Sequence, residues 1–152
     1  MAGRSGSDGR DVAGRVALVG CGFVADLYMR SLRLYPRVEV VAVHDRDPDR
    51  QAAFAAHWGV AGADTLEALL DRLSPGDVVL NLTNPAAHAE VSRTALEAGH
   101  HVWCEKPMTL ALDDAQALHD LAEARGLWHL SAPASVLGEA AQVLLAAGRR
   151  GG

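Results

Sequence analysis

The chain has 152 residues, the size of a single domain, and a formal net charge of −5 from 14 Lys and Arg against 19 Asp and Glu. Hydrophobic residues make up 49% and charged residues 22%, which is the usage of a globular protein rather than a disordered one. The acidic balance argues against a general nucleic-acid or anionic-membrane binder, because such proteins carry a basic surface.

The cysteines bear on the cellular compartment of the protein, and the N-terminal composition bears on the order of its first residues. Cys21 and Cys104 form neither a disulfide framework nor a metal-binding spacing, which favours a reducing compartment and predicts a cytoplasmic location. No stretch approaches about 18 uninterrupted apolar residues, so we expect no membrane span. Residues 1–14 are rich in Gly, Ser, Arg and Asp and predict a disordered leader. The histidines show no ligand spacing, and no metal site is expected.

Short apolar runs alternate with segments of helical periodicity along the chain. Strands are predicted at 16–19, 38–44, 77–82, 101–104 and 127–130, with a weaker strand near 60–61. Helices are predicted at 25–34, 48–57, 66–73, 85–98, 113–124 and 138–147. Asp47 is expected to cap the second helix, with Pro48 at its first position. This alternation predicts an α/β fold with a doubly wound parallel sheet.

A glycine-rich segment at 20–25 follows the first strand, opens the first helix and fits the pattern G-x-G-x-x-(G/A). Gly20 permits the tight turn, Gly22 lets a pyrophosphate approach the backbone, and Ala25 is small enough for close helix–strand packing. The free amides and the positive dipole at the start of the helix favour phosphate groups. A glycine turn without a ligand is the alternative.

Asp45 ends the second predicted strand, near the spacing of about 20 residues at which a carboxylate reaches the hydroxyls of the adenosine ribose. Such a carboxylate favours NAD and repels the 2′-phosphate of NADP. Arg46 follows directly and could instead pair with that phosphate. The sequence therefore predicts a nicotinamide dinucleotide as the cofactor, with NAD slightly preferred and NADP left open.

Two further polar groups follow later strands, where an open parallel sheet places its ligand. The first consists of Thr83, Asn84 and His88, and the second of Glu105, Lys106 and Pro107. A lysine beside the cofactor can donate to a substrate oxygen and stabilise the charge that develops during hydride transfer. A surface ion pair at the end of a strand is the alternative.

Taken in this order, the motifs resemble the N-terminal half of the Gfo/Idh/MocA oxidoreductases, the group of glucose-fructose oxidoreductase and inositol dehydrogenase. The resemblance covers about 15–132, and its most specific element is the run of Glu105, Lys106 and Pro107 after a Gly-x-His-Val strand. It implies a Rossmann domain that binds NAD or NADP. It also implies hydride transfer at a carbon of a sugar, a cyclitol or a related polyol.

The resemblance further implies a role for each matching residue. The dinucleotide loop would consist of Gly20, Gly22, Phe23, Val24 and Ala25. The adenosine end would be held by Asp45 at the ribose and by Arg46 at the adenine or a phosphate. The nicotinamide side would be lined by Thr83 and Asn84, with His88 just beyond them. Glu105 would bind the nicotinamide ribose, Lys106 would be catalytic at the reacting oxygen, and Pro107 would fix the turn, with a cis bond before it.

The family also carries a second domain that forms the substrate pocket and supplies a further acid or base, and its residues are not found in this sequence. We therefore expect a leader at 1–14, the NAD(P)-binding domain at 15–135, and a helix at 136–152 that leads toward a missing substrate domain. Such a truncated chain is expected to have little activity alone, to act on a sugar or polyol only with that second domain, and to associate as a homo-oligomer through an apolar face.

A non-catalytic function is the alternative that the sequence leaves open. A nucleotide-binding sensor or regulatory module would bind the dinucleotide and act through a partner, with no chemistry of its own. Such a module has no need of a lysine at the end of the fourth strand. The presence of Lys106 therefore favours an oxidoreductase.

Overall fold

The computed structural model describes residues 12–132, which form a parallel sheet covered by helices. The strands are β1 (Gly14–Val19), β2 (Val38–His44), β3 (Val78–Asn81), β4 (His101–Cys104) and β5 (His129–Ser131). The α-helices are α1 (Phe23–Leu32), α2 (Pro48–Trp58), α3 (Leu66–Leu70), α4 (His88–Glu97) and α5 (Leu112–Arg125). A 3₁₀ turn at Pro85–Ala87 precedes α4. Within this range no helix combines the length and hydropathy needed to cross a membrane.

The sheet order is β2-β1-β3-β4-β5, and all four neighbouring pairs are parallel. The chain leaves β1 in one direction to form β2 and then crosses to the other side of β1 to form β3. This reversal creates a switch point between β1 and β3. The predicted doubly wound α/β fold is confirmed.

Residues of β1 alternate between two apolar clusters, one on each face of the sheet. Ala17 and Val19 belong to the cluster that contains residues of α3, α4 and α5, whereas Val16 and Leu18 pack with residues of α1 and α2. All four are at most 8% exposed. Because both faces of β1 are buried, its sequence is continuously apolar rather than alternating.

Most element boundaries agree with the local signals in the sequence. Asp47 accepts hydrogen bonds of 3.1 Å from the amides of Asp49 and Arg50, with Pro48 in the first turn, as the capping pattern predicts. Gly59 and Gly126 end α2 and α5 in the left-handed conformation.

Several predicted boundaries were wrong, and two predicted segments lie outside the described residues. The weak strand near 60–61 is only an isolated bridge between Val43 and Gly62. The helix predicted from 85 begins as a 3₁₀ turn, and the helix at 66–73 ends at Leu70. β1 begins at Gly14 and pairs with Val38 there, so the ordered domain reaches into the predicted leader. The rest of the leader (1–11) and the helix at 138–147 lie outside the described residues.

Gly20 makes the turn that leads from β1 to α1, and its conformation excludes other residues. Its φ angle is +97°, in the region that side chains with a Cβ rarely adopt. A Cβ built there would lie 2.6 Å from the carbonyl oxygen of Leu82, which follows β3. The turn therefore depends on glycine both for its backbone angle and for the approach of β3.

We predict that Gly20→Ala lowers the free energy of unfolding by about 2 kcal/mol or more, because the methyl group adds left-handed strain and a backbone clash. Urea denaturation measures this change. Gly14→Ala is the matched control, since its Cβ would meet no atom within 4 Å, and its effect should stay within about 1 kcal/mol. Equal stability of the two variants would contradict the prediction.

Candidate cofactor-binding site

The carboxyl ends of four strands meet at one edge of the sheet. Their last paired residues are Val19, His44, Asn81 and Cys104, which stand opposite one another in register. Backbone hydrogen bonds extend the register by one residue, from Gly20 N to His44 O (2.8 Å), Leu82 N to Val19 O (2.8 Å) and Glu105 N to Asn81 O (2.9 Å). Residues that are distant in sequence are thereby gathered at this edge.

A cavity of about 470 Å³ opens at the edge, at the switch point between β1 and β3. Its lining contains the predicted site residues Gly20, Gly22, Phe23, Val24, Asp45, Arg46, Thr83 and Asn84. It also contains Val19, His44, Arg50, Leu66, Leu82, Ala87 and Val91. The size is typical of small-molecule sites, and the mixture of an apolar wall with a few polar groups suits a nucleotide.

The glycine loop leaves the start of α1 open toward this cavity. Gly22 is the N-cap of α1 and has no side chain with which to cap the first turn. A Cβ built on Gly22 would meet no protein atom within 4 Å, so its missing side chain leaves open space. Phe23 and Val24 line the cavity, while Ala25 is fully buried against the sheet. The residues present therefore fit a phosphate group held by helix amides.

Asp45 follows β2, is only 8% exposed, and has both carboxylate oxygens fully engaged. Oδ2 accepts hydrogen bonds from the Cys21 amide (2.8 Å) and Arg50 Nε (2.9 Å). Oδ1 accepts from the Asp47 amide (2.9 Å) and Arg50 Nη2 (2.7 Å). Arg50 thus forms a bidentate pair with the carboxylate, the geometry in which an Arg–carboxylate interaction is strongest.

These contacts set the protonation state of Asp45. Burial alone would raise the pKa of the carboxyl group, but the hydrogen bonds from Arg50, Asp47 and Cys21 outweigh it and hold the pKa at about 2. The same pair raises the pKa of the Arg50 guanidinium. Burial raises the pKa of the neighbouring Cys21 thiol to about 12, so this cysteine is not a thiolate nucleophile at neutral pH.

Asn81, at the end of β3, fixes the loop that forms the opposite wall. Its side-chain amide donates to the backbone oxygen of His88 and to Ser92 Oγ, both at 3.0 Å. Its Oδ1 accepts from Thr83 Oγ1 at 2.7 Å. Thr83 therefore faces the cavity with its hydroxyl already bound by the protein, and Asn84 beside it is exposed.

His88 does not lie in the cavity lining; it is 1% exposed and sits behind the loop. Its Nδ1 is 2.6 Å from the Pro107 carbonyl oxygen, and its Nε2 is 3.0 Å from the Thr83 carbonyl oxygen. The ring bridges the loops that follow β3 and β4. These contacts favour a positioning role over the direct cofactor contact that the sequence suggested, because the ring is buried and both of its nitrogens lie beside backbone carbonyl oxygens.

Glu105 is held in place by the Tyr28 hydroxyl, which is itself fixed by Trp103. Trp103 Nε1 donates to the Tyr28 hydroxyl at 2.8 Å, and that hydroxyl donates to Glu105 Oε1 at 2.9 Å. Burial and the hydrogen bond to Glu105 raise the pKa of Tyr28 to about 12, so Tyr28 remains a donor at neutral pH. Glu105 Oε2 accepts from the backbone amide of Lys106 at 3.2 Å.

Lys106 and Pro107 are exposed at the same edge, outside the lining of the cavity. The bond between them is cis, as the family resemblance implies. The site therefore has two parts: the cavity, and the sheet edge at Glu105 and Lys106 outside its lining. Across residues 12–132, no three His, Cys, Asp or Glu side chains are grouped so that they could hold a metal ion.

Sequence reasoning missed Arg50, Tyr28 and Asn81. Tyr28 and Arg50 lie within the predicted helices 25–34 and 48–57 and belong to none of the motifs. Asn81 gave a signal that could have been used, because it is the single polar residue in an otherwise apolar run at 78–82. A polar side chain in a strand covered on both faces needs a buried partner.

A parallel sheet with a glycine turn, an acidic residue at the end of β2 and a cavity at the switch point defines a dinucleotide-binding Rossmann domain. Residues 14–131 match the Gfo/Idh/MocA family, described as an oxidoreductase family with an NAD-binding Rossmann fold. The chain belongs to this family, and its described part is the NAD(P)-binding domain.

Individual relatives share this domain. Inositol 2-dehydrogenase 3 of Saccharopolyspora erythraea is 36% identical over 115 residues, which are 74% of this chain and 33% of that protein. The structure of the WlbA dehydrogenase of Chromobacterium violaceum with NADH and UDP-GlcNAcA is 28% identical, with a TM-score of 0.82, over 99% of this chain and 43% of that one. Biliverdin reductase of Synechocystis with biliverdin and NADP+ is 28% identical, with a TM-score of 0.78, over 87% and 42%. The chain spans about a third of the length of the curated relatives it matches.

We predict that Asp45→Asn lowers the free energy of unfolding by about 2 kcal/mol at pH 6, because the low pKa of Asp45 reflects stabilisation of its charged form in the folded state. This contribution is present above pH 4 and is lost as the pH falls toward 2, so the two proteins should converge there. Urea denaturation between pH 6 and pH 2.5 measures the difference. Asp26→Asn, which breaks the surface pair with Arg30, should cost about 0.5 kcal/mol or less. A difference for Asp45→Asn that does not change with pH would contradict the prediction.

Proposed function

We propose that this chain is the cofactor domain of an oxidoreductase that transfers hydride between a nicotinamide dinucleotide and a sugar, cyclitol or related polyol. The observation that carries the proposal is the open space at Gly22, where α1 begins. Gly22 lines the same cavity as Asp45 and Thr83. The pyrophosphate would lie at the start of α1, with the adenosine ribose toward Asp45 and Arg46. The cofactor domain would extend over 15–135.

The proposed cofactor preference is NAD over NADP by a small margin. An acidic residue at the end of β2 favours the ribose diol, whereas Arg46 in the same lining favours a phosphate. Relatives of both kinds occur, since WlbA was solved with NADH and biliverdin reductase with NADP+.

The nicotinamide end would lie toward the loops after β3 and β4. When bound, the cofactor supplies the hydride acceptor or donor. Thr83 and Asn84 would line its path, and Glu105, held by Tyr28, would bind the nicotinamide ribose. Lys106 would donate to the reacting oxygen of the substrate, and Pro107 would fix the turn beside it. His88 would act by holding both loops in place.

The substrate class rests on the relatives and on the exposed edge. One relative is named an inositol dehydrogenase, and another was solved with a nucleotide sugar. Leu110 and Leu112, just beyond Lys106, are 71% and 82% exposed, which leaves an apolar surface next to the open edge. A substrate-binding domain would cover this surface and complete the pocket, or a second copy of the chain would associate there. Activity without that second wall is expected to be low, because orientation and proton transfer are incomplete.

The non-catalytic sensor is the weaker proposal. It accounts for the cavity but not for Lys106, which stands outside the cavity on an ordered turn. The two buried, unpaired cysteines accord with the proposed cytoplasmic setting.

We predict that NADH binds to this chain and that Gly22→Ala weakens binding about tenfold or more, because the added methyl group occupies the space through which the pyrophosphate approaches the backbone. Fluorescence titration with NADH and NADPH measures the dissociation constants. Gly14→Ala is the matched control: it adds the same methyl group in open space at the far end of β1 and should bind normally. Failure of the unaltered chain to bind either nucleotide would overturn the proposed function.

We also predict that Lys106→Ala keeps the dissociation constant for NADH within about twofold while abolishing any oxidation of sugars or cyclitols, since its amine acts on the substrate rather than on the cofactor. Nucleotide titration and NADH formation at 340 nm are measured on the same preparation. A large loss of NADH affinity would instead make Lys106 a cofactor-binding residue.

A further inference from the structure

Asp45 has no acceptor position left for the hydroxyls of a ribose. A carboxylate offers about four lone-pair positions. Four donors fill them here: two from Arg50 and one amide each from Cys21 and Asp47. A ribose diol can therefore reach Asp45 only if one of these donors withdraws.

Arg50 is the donor that can withdraw. The amide of Cys21 belongs to the glycine loop, and the amide of Asp47 lies at the capped start of α2, so both are fixed by the backbone. The Arg50 side chain reaches Asp45 from the surface of α2, is 45% exposed, and itself lines the cavity. It can rotate into solvent or toward a ligand without disturbing the backbone.

The charge of Arg50 changes what Asp45 does to an incoming ligand. An unpaired carboxylate would repel the 2′-phosphate of NADP, but the bidentate pair neutralises it. Around this end of the cavity, Arg46 and Arg50 balance Asp45 and Asp47, with Arg50 Nη1 also 3.4 Å from Asp47 Oδ2. The group is close to neutral and holds two guanidinium groups suited to phosphate.

We infer that Arg50 is the residue that sets how strictly this domain distinguishes NAD from NADP. Paired with Asp45, it neutralises the carboxylate and admits the 2′-phosphate. Displaced from Asp45 by the ribose diol, it leaves the carboxylate to bind NAD. The preference for NAD is therefore small while Arg50 is present, and it becomes strong when Arg50 is removed. This inference rests on the proposed dinucleotide binding and deepens it.

The test compares the ratio of the dissociation constants, NADPH over NADH, in the unaltered chain and in Arg50→Met. We expect the ratio to rise about tenfold, equivalent to about 1.4 kcal/mol, because the variant exposes an unneutralised carboxylate and loses a cation. Arg50→Gln removes the charge but keeps a hydrogen-bond donor for Asp45, and it should shift the ratio in the same direction. It serves as the folded variant if Arg50→Met is unstable. Arg30→Met, which breaks the surface pair with Asp26, should leave the ratio unchanged.

A double variant identifies the route by which Arg50 acts. When Asp45→Asn is added to Arg50→Met, the ratio should return toward that of the unaltered chain, because no carboxylate remains to repel the phosphate. A ratio that stays raised in the double variant would overturn neutralisation as the mechanism. If both nucleotides bind and the ratios of Arg50→Met and Arg50→Gln both stay within twofold of the ratio of the unaltered chain, the inference is overturned and the proposed function stands. If the unaltered chain binds neither nucleotide, the proposed function falls and the inference with it.

Discussion

Parallel pairing of β1 with its two neighbours is the constraint on which the site depends. Val19 stands in register with His44 on one side and with Asn81 on the other, so the residues that follow these strands emerge at the same level. The approach of β3 is so close that only a glycine fits at position 20, where a Cβ would lie 2.6 Å from the Leu82 oxygen. A shift of one residue in this register would separate Asp45 from the Cys21 amide and remove the cavity wall at Thr83.

Behind the residues that line the cavity lies a layer of polar side chains whose contacts are divided between backbone and side-chain atoms. Asn81 joins β3 to α4, His88 joins the loops after β3 and β4, and Tyr28 joins α1 to Glu105. Each crosses between elements that the sheet alone does not hold together. Such supporting contacts fix the geometry of a binding site before the ligand arrives, which lowers the ordering cost of binding.

The sequence predicted those features whose cause is local. The glycine loop and the Asp47 cap are each specified within a few residues, and the structure has both. The pairing of Tyr28 with Glu105 spans 77 positions and depends on how α1 packs beside β4, which periodicity does not specify. Arg50 lies only five positions from Asp45, yet its contact depends on a turn and a helix start between them. The weak strand near 60–61 failed because this segment pairs with β2 only at a single bridge, which joins Gly62 to Val43.

Lys106 has a chemical consequence beyond its place at the sheet edge. It is the only lysine in the sequence. All other permanently charged basic side chains are arginines. A reagent that acylates lysine side chains has one target in this sequence. Modification of Lys106 would thus place a spectroscopic probe or an affinity tag just after the end of β4. Coupling the protein to a solid support through Lys106 would, for the same reason, place that edge against the support.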